Sequence, residues 1–287
     1  MSTSTAKPID AEARQHQFEA ASLAGRGFRP SALVHDHADV LGVKVSAINM
    51  NFSVNLAAQW IERGQPGYVC VASVHGVMEA QRDPELLRIF NQAVINTPDG
   101  MPLTWIGRLQ GFAHMDRVFG PDFMMEVCRI SVERGYRHFL YGGKPGVAEE
   151  LSKRLQSRFP GLKVVGTLTP PFRSLTPEEE QEFARQIAQV QPHIVWVGLS
   201  TPKQERFMAK YVHRFNVPLM IGVGAAFDFH TGRIRDCPRW IKRAGLQWLH
   251  RLMQEPGRLW KRYLVNNPAF LWLCLAKAPS MFKSRLW

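Results

Sequence analysis

From Val40 onward the chain alternates short, β-branched apolar runs with stretches of helical spacing, and this alternation restricts the fold more than any other feature. The runs are Val43 to Ile48, Tyr68 to Val74, Val94 to Asn96, His138 to Tyr141, Lys163 to Val165, His193 to Val197 and Pro218 to Gly222. Between them, stretches such as Val147 to Phe159 and Thr176 to Val190 place apolar residues at helical intervals. Strands that alternate with helices of about 10 to 15 residues build βαβ units, and hence a parallel sheet covered on both faces. The expected class is therefore α/β: a Rossmann-like, mostly parallel sheet with helices on both faces, plus a basic helical appendage at the C-terminus. Thr176-Pro177-Glu178-Glu179 is a helix start, with Thr as cap and Pro in the first turn.

Charge divides the chain further. Residues 233–287 hold twelve Lys/Arg against Asp236 and Glu255, so ten of the chain's twelve net positive charges lie there, with five of its eight tryptophans. Clustered tryptophan and basic side chains suit an anionic, partly apolar surface such as the inner leaflet of a membrane. Three segments are expected: a polar extension over 1–38, a catalytic domain over 39–232, and an appendage over 233–287 that serves as active-site lid and membrane contact. His35, Asp36, His37 and Asp39 in the first segment have a spacing that metal ligands can have, but nothing nearby supplies a rigid frame. Cys70, Cys128, Cys237 and Cys274 are far apart and form no CxxC pair, so neither a zinc site nor a disulfide framework is expected. No apolar run follows a basic start at the N-terminus, and Ala269 to Ala276 is far short of the roughly 20 residues a spanning helix needs. The expected location is cytoplasmic, peripheral to the inner face of the cell membrane.

In a parallel sheet ligands bind beyond the carboxyl ends of the strands, so the residues that directly follow the apolar runs carry the information. Asn96-Thr97-Pro98-Asp99-Gly100 puts a carboxylate at a strand exit, where it can accept a proton from a bound hydroxyl, although Pro-Asp-Gly is also a common turn. Tyr141-Gly142-Gly143-Lys144-Pro145-Gly146 lets backbone N–H groups approach a phosphate, or forms a tight turn with no ligand; it lacks the P-loop ending. Gly198-Leu199-Ser200-Thr201-Pro202-Lys203-Gln204-Glu205 crowds a hydroxyl, a lysine, an amide and a carboxylate into one strand-to-helix turn. Gly222-Val223-Gly224-Ala225-Ala226-Phe227-Asp228 is half of a dinucleotide fingerprint.

Taken in order, these motifs resemble the WecG/TagA/CpsF glycosyltransferases, over about Val40 to Tyr263. The resemblance also rests on Leu41-Gly42-Val43-Lys44-Val45, Val74-His75-Gly76-Val77-Met78-Glu79-Ala80, Pro98-Asp99-Gly100-Met101-Pro102-Leu103-Thr104-Trp105, Arg117-Val118-Phe119-Gly120-Pro121-Asp122, Pro202-Lys203-Gln204-Glu205, Arg239-Trp240, Trp248-Leu249-His250-Arg251-Leu252 and Glu255-Pro256-Gly257-Arg258. It implies inverting transfer of an N-acetylhexosamine, a derived uronic acid or a hexose. The donor would be a UDP-sugar and the acceptor a polyprenyl-diphosphate-linked saccharide, in bacterial surface polysaccharide synthesis. By the same resemblance Asp99 is the general base, and Arg251 and Arg258 neutralise the departing diphosphate, with Lys261 or Arg262 at the place of a third cation. Ser73, His75, Arg117, Gly142, Gly143, Lys203, Gln204, Glu205, Gly224 and Asp228 are the expected substrate contacts.

Where such proteins have Thr-x-Asn, this chain reads Val71-Ala72-Ser73, and Gln247 stands where a Glu usually precedes the Trp, removing any salt bridge that Glu makes. No Asp-x-Asp pair occurs, so transfer without a metal or other cofactor is expected, with arginines in place of the cation. A homo-oligomer stays open. Two other classes compete: a nucleic-acid binder using the basic tail, for which no recognition motif appears and no nucleic-acid partner is expected, and a Rossmann oxidoreductase using Gly222-Val223-Gly224. The transferase reading requires Asp99 and Arg251 to face one cavity.

Overall fold

The computed structural model describes residues 35–282. The described residues open with an antiparallel hairpin of β1 (His37–Val40) and β2 (Val43–Ser46), joined at Leu41 and Gly42, whose φ angles are 56° and 88°. Two successive positive φ values give a tight turn whose twist matches the strands it joins. The run that begins at Val43 therefore belongs to this hairpin and not to the parallel sheet, and β1 starts inside the segment expected to be an extension. His35 is ordered too, with Nε2 at 2.8 Å from Ser46 Oγ. Among the described residues no group of three His, Cys, Asp or Glu side chains is placed to hold a metal ion.

The other six runs form the parallel sheet: β3 (Gly67–Ala72), β4 (Ile95–Pro98), β5 (Arg137–Gly142), β6 (Lys163–Leu168), β7 (Ile194–Gly198) and β8 (Leu219–Gly222), in the spatial order β4-β3-β8-β7-β5-β6. Ile194, Val195, Trp196 and Val197 are all at 0 % exposure, which requires cover on both faces of the sheet. The hairpin lies along the β4 edge: the Asn96 backbone N–H donates to Ser46 Oγ at 3.0 Å, and Asn96 Nδ2 donates to the Lys44 carbonyl at 2.9 Å.

Helices alternate with these strands: α1 (Met50–Arg63), α2 (Val74–Arg82), α3 (Pro84–Gln92), α4 (Met101–Leu109), α5 (Gly120–Arg134), α6 (Val147–Arg158), α7 (Pro177–Val190), α8 (Lys203–Tyr211) and α9 (Ala226–His230). The expected start of α7 is a capping box, with Thr176 Oγ1 accepting from the Glu179 N–H and Glu179 Oε2 accepting from the Thr176 N–H. One aromatic cluster ties β5, α7 and α8 together: the Tyr141 and Phe207 rings stack at 4.3 Å, and Phe183 meets Phe215 edge-on at 5.0 Å. Removing a ring as enclosed as Phe183 would cost about 3–5 kcal/mol. Beside it, the Glu180 carboxylate accepts from Lys210, Tyr211 and Arg214, clamping α7 to the end of α8.

The basic appendage is helical: α10 (Arg239–Arg243), α11 (Gln247–Gln254) and α12 (Pro256–Phe282). Helix α12 packs on α2 and on α11. The stretch after Pro268 divides between body and surface. Phe270 is buried among core residues, whereas Leu271 and Trp272 are exposed. The tryptophans divide likewise: Trp240 is exposed, and Trp248 lies 5.9 Å from the Tyr263 ring. Among the described residues no helix is long and apolar enough to cross a membrane.

Candidate active site

Neighbouring strands β4, β3, β8 and β7 end side by side, and the turns that leave them line a cavity of about 490 Å³. Its other wall comes from the C-terminal helices, through Lys242, Gln247, Trp248, Arg251, Arg258, Arg262 and Tyr263. Asp99 and Arg251, more than 150 residues apart in sequence, therefore face the same space. Of the expected site residues, Ser73, His75, Asp99, Arg117, Gln204, Gly224, Asp228, Arg251 and Arg258 all line it.

Asp99 follows β4 directly, and its N–H donates to the Ala72 carbonyl at the end of β3. Arg117 grips the same residue twice: Nε donates to the Asp99 carbonyl, and Nη2 lies 3.4 Å from Oδ1. Arg117 Nη2 also donates to Gln247 Oε1, so the amide keeps the appendage hydrogen-bonded to Arg117 where a glutamate would have made an ion pair. Burial is the largest influence on the Asp99 carboxyl and pushes its pKa above the ordinary value, while Arg117, the Gly120 N–H and Arg262 pull the other way. The carboxylate is consequently a better proton acceptor than an exposed aspartate.

Cationic charge gathers opposite. Glu255 Oε2 accepts from Arg251 Nη2 and from Arg258 Nη2, each at 2.7 Å, holding both guanidiniums at the junction of α11 and α12. Arg262, one turn further along, differs in having no such carboxylate: it lies over the Tyr263 ring at 5.8 Å, and its buried Nε, like that of Arg251, has no partner. Among the described residues no carboxylate forms an ion pair with it. Burial depresses its pKa and Arg251 and Arg258 push the same way, while Tyr263 and Asp99 pull it up. A part-buried guanidinium with no carboxylate at ion-pair distance is a receptor for an anion. Lys261, its neighbour, is exposed and sits over the Trp260 ring at 5.5 Å, so of the two it is Arg262 that joins Arg251 and Arg258 on the cavity wall.

The strand-to-helix turn after β7 supplies a fixed amide. Gln204 Oε1 accepts from the Gly224 N–H at 3.0 Å, and Gln204 Nε2 donates to Glu205 Oε1 at 2.9 Å. The Gly224 N–H is thus already engaged, and Gly222-Val223-Gly224 is not an open phosphate cradle.

Four expected contacts lie off the cavity wall. Gly142 closes the sheet instead: a Cβ there would stand 2.6 Å from the Gly198 carbonyl oxygen, at a φ of 126°. The Gly143 N–H donates to that same carbonyl. Both glycines serve strand packing beside β7, one strand beyond the cavity. Lys203 opens α8 on its exposed side. Glu205 is fully buried behind Gln204, accepting also from Thr201 Oγ1 at 3.0 Å, and burial raises its pKa.

A family model described as Glycosyl transferase WecG/TagA/CpsF family matches residues 38–283. The chain belongs to this family. A curated relative from Bacillus subtilis (strain 168), named N-acetylglucosaminyldiphosphoundecaprenol N-acetyl-beta-D-mannosaminyltransferase, is 30% identical over 185 residues, covering 64% of this chain and 70% of its own length. A protein of the same name from Bacillus spizizenii (strain ATCC 23059 / NRRL B-14472 / W23) is 27% identical over 214 residues, covering 75% and 81%. Membership makes the protein a glycosyltransferase and sets aside the oxidoreductase and nucleic-acid readings.

In this transferase the chain's own departures are visible. Val71 forms part of the cavity floor beside Gly120, where an added Cβ would lie 3.3 Å from Val71 Cγ1 and 3.6 Å from the Val223 carbonyl. Ser73 caps α2, its hydroxyl accepting from the Gly76 N–H at 3.3 Å. Reading the sequence missed the aromatic side of the site: Trp105, Phe119, Phe229 and Tyr263 line the cavity as well. Trp105 packs on Gly245 between α10 and α11, where a Cβ would meet its ring at 3.0 Å.

Proposed function

We propose that this cavity moves a sugar from a UDP-sugar to a polyprenyl-diphosphate-linked saccharide, with inversion at the anomeric carbon. The observation that carries the proposal is the convergence of Asp99 with Arg251, Arg258 and Arg262 on one cavity. The acceptor hydroxyl oxygen forms the new bond to the anomeric carbon as its proton passes to the Asp99 carboxylate. The bond from that carbon to the donor diphosphate breaks, and the electron pair leaves with the nucleotide. Arginines positioned where this negative charge collects stabilise the transition state more than the ground state. The relatives' names support a diphosphoundecaprenol-linked N-acetylglucosamine as acceptor and an N-acetylhexosamine as the transferred group.

Peripheral attachment to the cytoplasmic face of the membrane accompanies this reading. The appendage combines ten net positive charges with exposed Trp240, Leu249, Met253, Trp260, Leu264, Trp272 and Leu275, a mixture suited to an anionic interface.

The test is UDP release from a set of UDP-N-acetylhexosamines, with N-acetylglucosaminyl-diphosphoundecaprenol in anionic vesicles, in the presence of excess EDTA. Acceptor-dependent release that survives the chelator is expected. Release that needs no acceptor, or that EDTA abolishes, would overturn respectively the acceptor and the assignment of counter-charge to arginine.

A further inference from the structure

His75 lines the cavity, but its ring is already committed. Its Nδ1 lies 3.0 Å from Asn266 Nδ2, and the backbone of Thr201 takes another hydrogen bond from the imidazole. Asn266, on α12, is buried, and its Oδ1 accepts from Arg82 Nη2 at 2.9 Å. Arginine only donates, so this bond orients the amide: oxygen toward Arg82, NH₂ toward His75. His75 Nδ1 must then be the acceptor and its proton must sit on Nε2, the neutral form that burial favours. Arg82 is braced in turn by Glu79 at 3.0 Å. The result is a chain of side chains from α2 through Asn266 to the turn after β7.

Arg262 stands four residues before Asn266, on the same side of α12. It has no anchor of its own among the described residues beyond the Tyr263 ring. Apolar contacts such as Phe270 seat α12 on the body, and Asn266 is the buried polar contact one turn from Arg262 that fixes the height and rotation of the helix there. We infer that His75, Asn266 and Arg82 form a clamp that positions Arg262 against the leaving diphosphate, so that His75 acts through Arg262 and not as a substrate ligand. The inference rests on the reading of Arg262 given under the proposed function. The other polar residues of the cavity serve as controls, since Gln204 and Arg117 are held by different partners.

Steady-state kinetics of Asn266→Leu, Arg262→Ala and the double variant test this, with circular dichroism confirming the fold of each. Asn266→Leu should lower kcat about 10- to 100-fold with little change in the donor KM, the scale set by a misplacement of about 1 Å. The double variant should be no slower than Arg262→Ala, because the clamp then has nothing to position. His75→Gln, which keeps an acceptor, should retain more activity than His75→Leu. Should Asn266→Leu fail to fold, Arg82→Leu at a half-exposed position reads the same contact. Wild-type kcat in Asn266→Leu beside a slow Arg262→Ala overturns the clamp alone, as does a double variant slower by the product of the two effects. Full activity in Arg262→Ala overturns the diphosphate reading and the clamp with it.

Discussion

Replacing Asp99 by Asn separates what this side chain does for the reaction from what it does to the fold. The substitution keeps the shape of the site: the Asp99 carbonyl still accepts from Arg117 Nε, and an amide oxygen can replace Oδ1 opposite Nη2 at 3.4 Å. What disappears is the proton acceptor. Removing a positioned general base costs about 10²- to 10⁴-fold, or about 2.7 to 5.4 kcal/mol of barrier, and the loss should fall on kcat while donor binding persists. Stability should move the other way. Burial raises the Asp99 pKa in the folded state, so its favourable contribution is complete below the unfolded pKa and is lost as pH rises through the folded one. At pH 7 the wild type holds a carboxylate the fold disfavours, and the Asn variant should be at least as stable. UDP-release kinetics together with urea midpoints at pH 7 check both halves, and the acid limb of the wild-type pH–rate profile should lie above the ordinary aspartate range. An Asn variant that keeps more than about a tenth of wild-type kcat would remove Asp99 from the chemistry, and a lowered urea midpoint would refute the account of its burial.

Other outcomes follow from the same geometry. Gly142→Ala should destabilise the fold by about 2 kcal/mol or more, because backbone stands where the methyl would go and φ is in the left-handed region; a denaturant midpoint measures it. Lys203→Ala, on an exposed position off the cavity, should leave kcat/KM within about twofold, and a larger fall would return Lys203 to the site. Lys210, Tyr211 and Arg214 hold the Glu180 carboxyl down to about 2. Its stabilisation is therefore present above the ordinary glutamate pKa and is lost as pH falls toward 2. Between pH 5 and pH 2 the wild-type urea midpoint should drop more steeply than that of Glu180→Gln; parallel slopes would count against the clamp between α7 and α8.

The sheet was legible because burial on both faces forces uninterrupted apolar runs, and the site because every strand of a parallel sheet delivers its exit to the same edge. That rule singled out the turns that carry Asp99 and Gln204, and both side chains line the cavity. The hairpin at Val40 to Val43 was not, since its turn is Leu41-Gly42 in place of the usual Asn-Gly, and a short apolar run reads equally well as an inner strand. Gly142-Gly143 misled because glycine serves close backbone packing as readily as phosphate binding, and only the position of the Gly198 carbonyl tells them apart. The acidity of Asp99 was likewise out of reach: it depends on enclosure by helices that follow more than 130 residues later. The burial of Phe270 was out of reach as well, because local hydrophobicity does not say which side of a helix meets the body.

Gly120, Val71 and Val223 together give the cavity a base made of methyl groups and bare main chain, at the mouths of strands whose interiors are filled. One methyl more or less there changes the depth available to a ligand while leaving the sheet's packing alone. Preference among ligands can therefore drift by single exchanges at this spot, without any reorganisation of the Asp99 carboxylate or the guanidiniums above it.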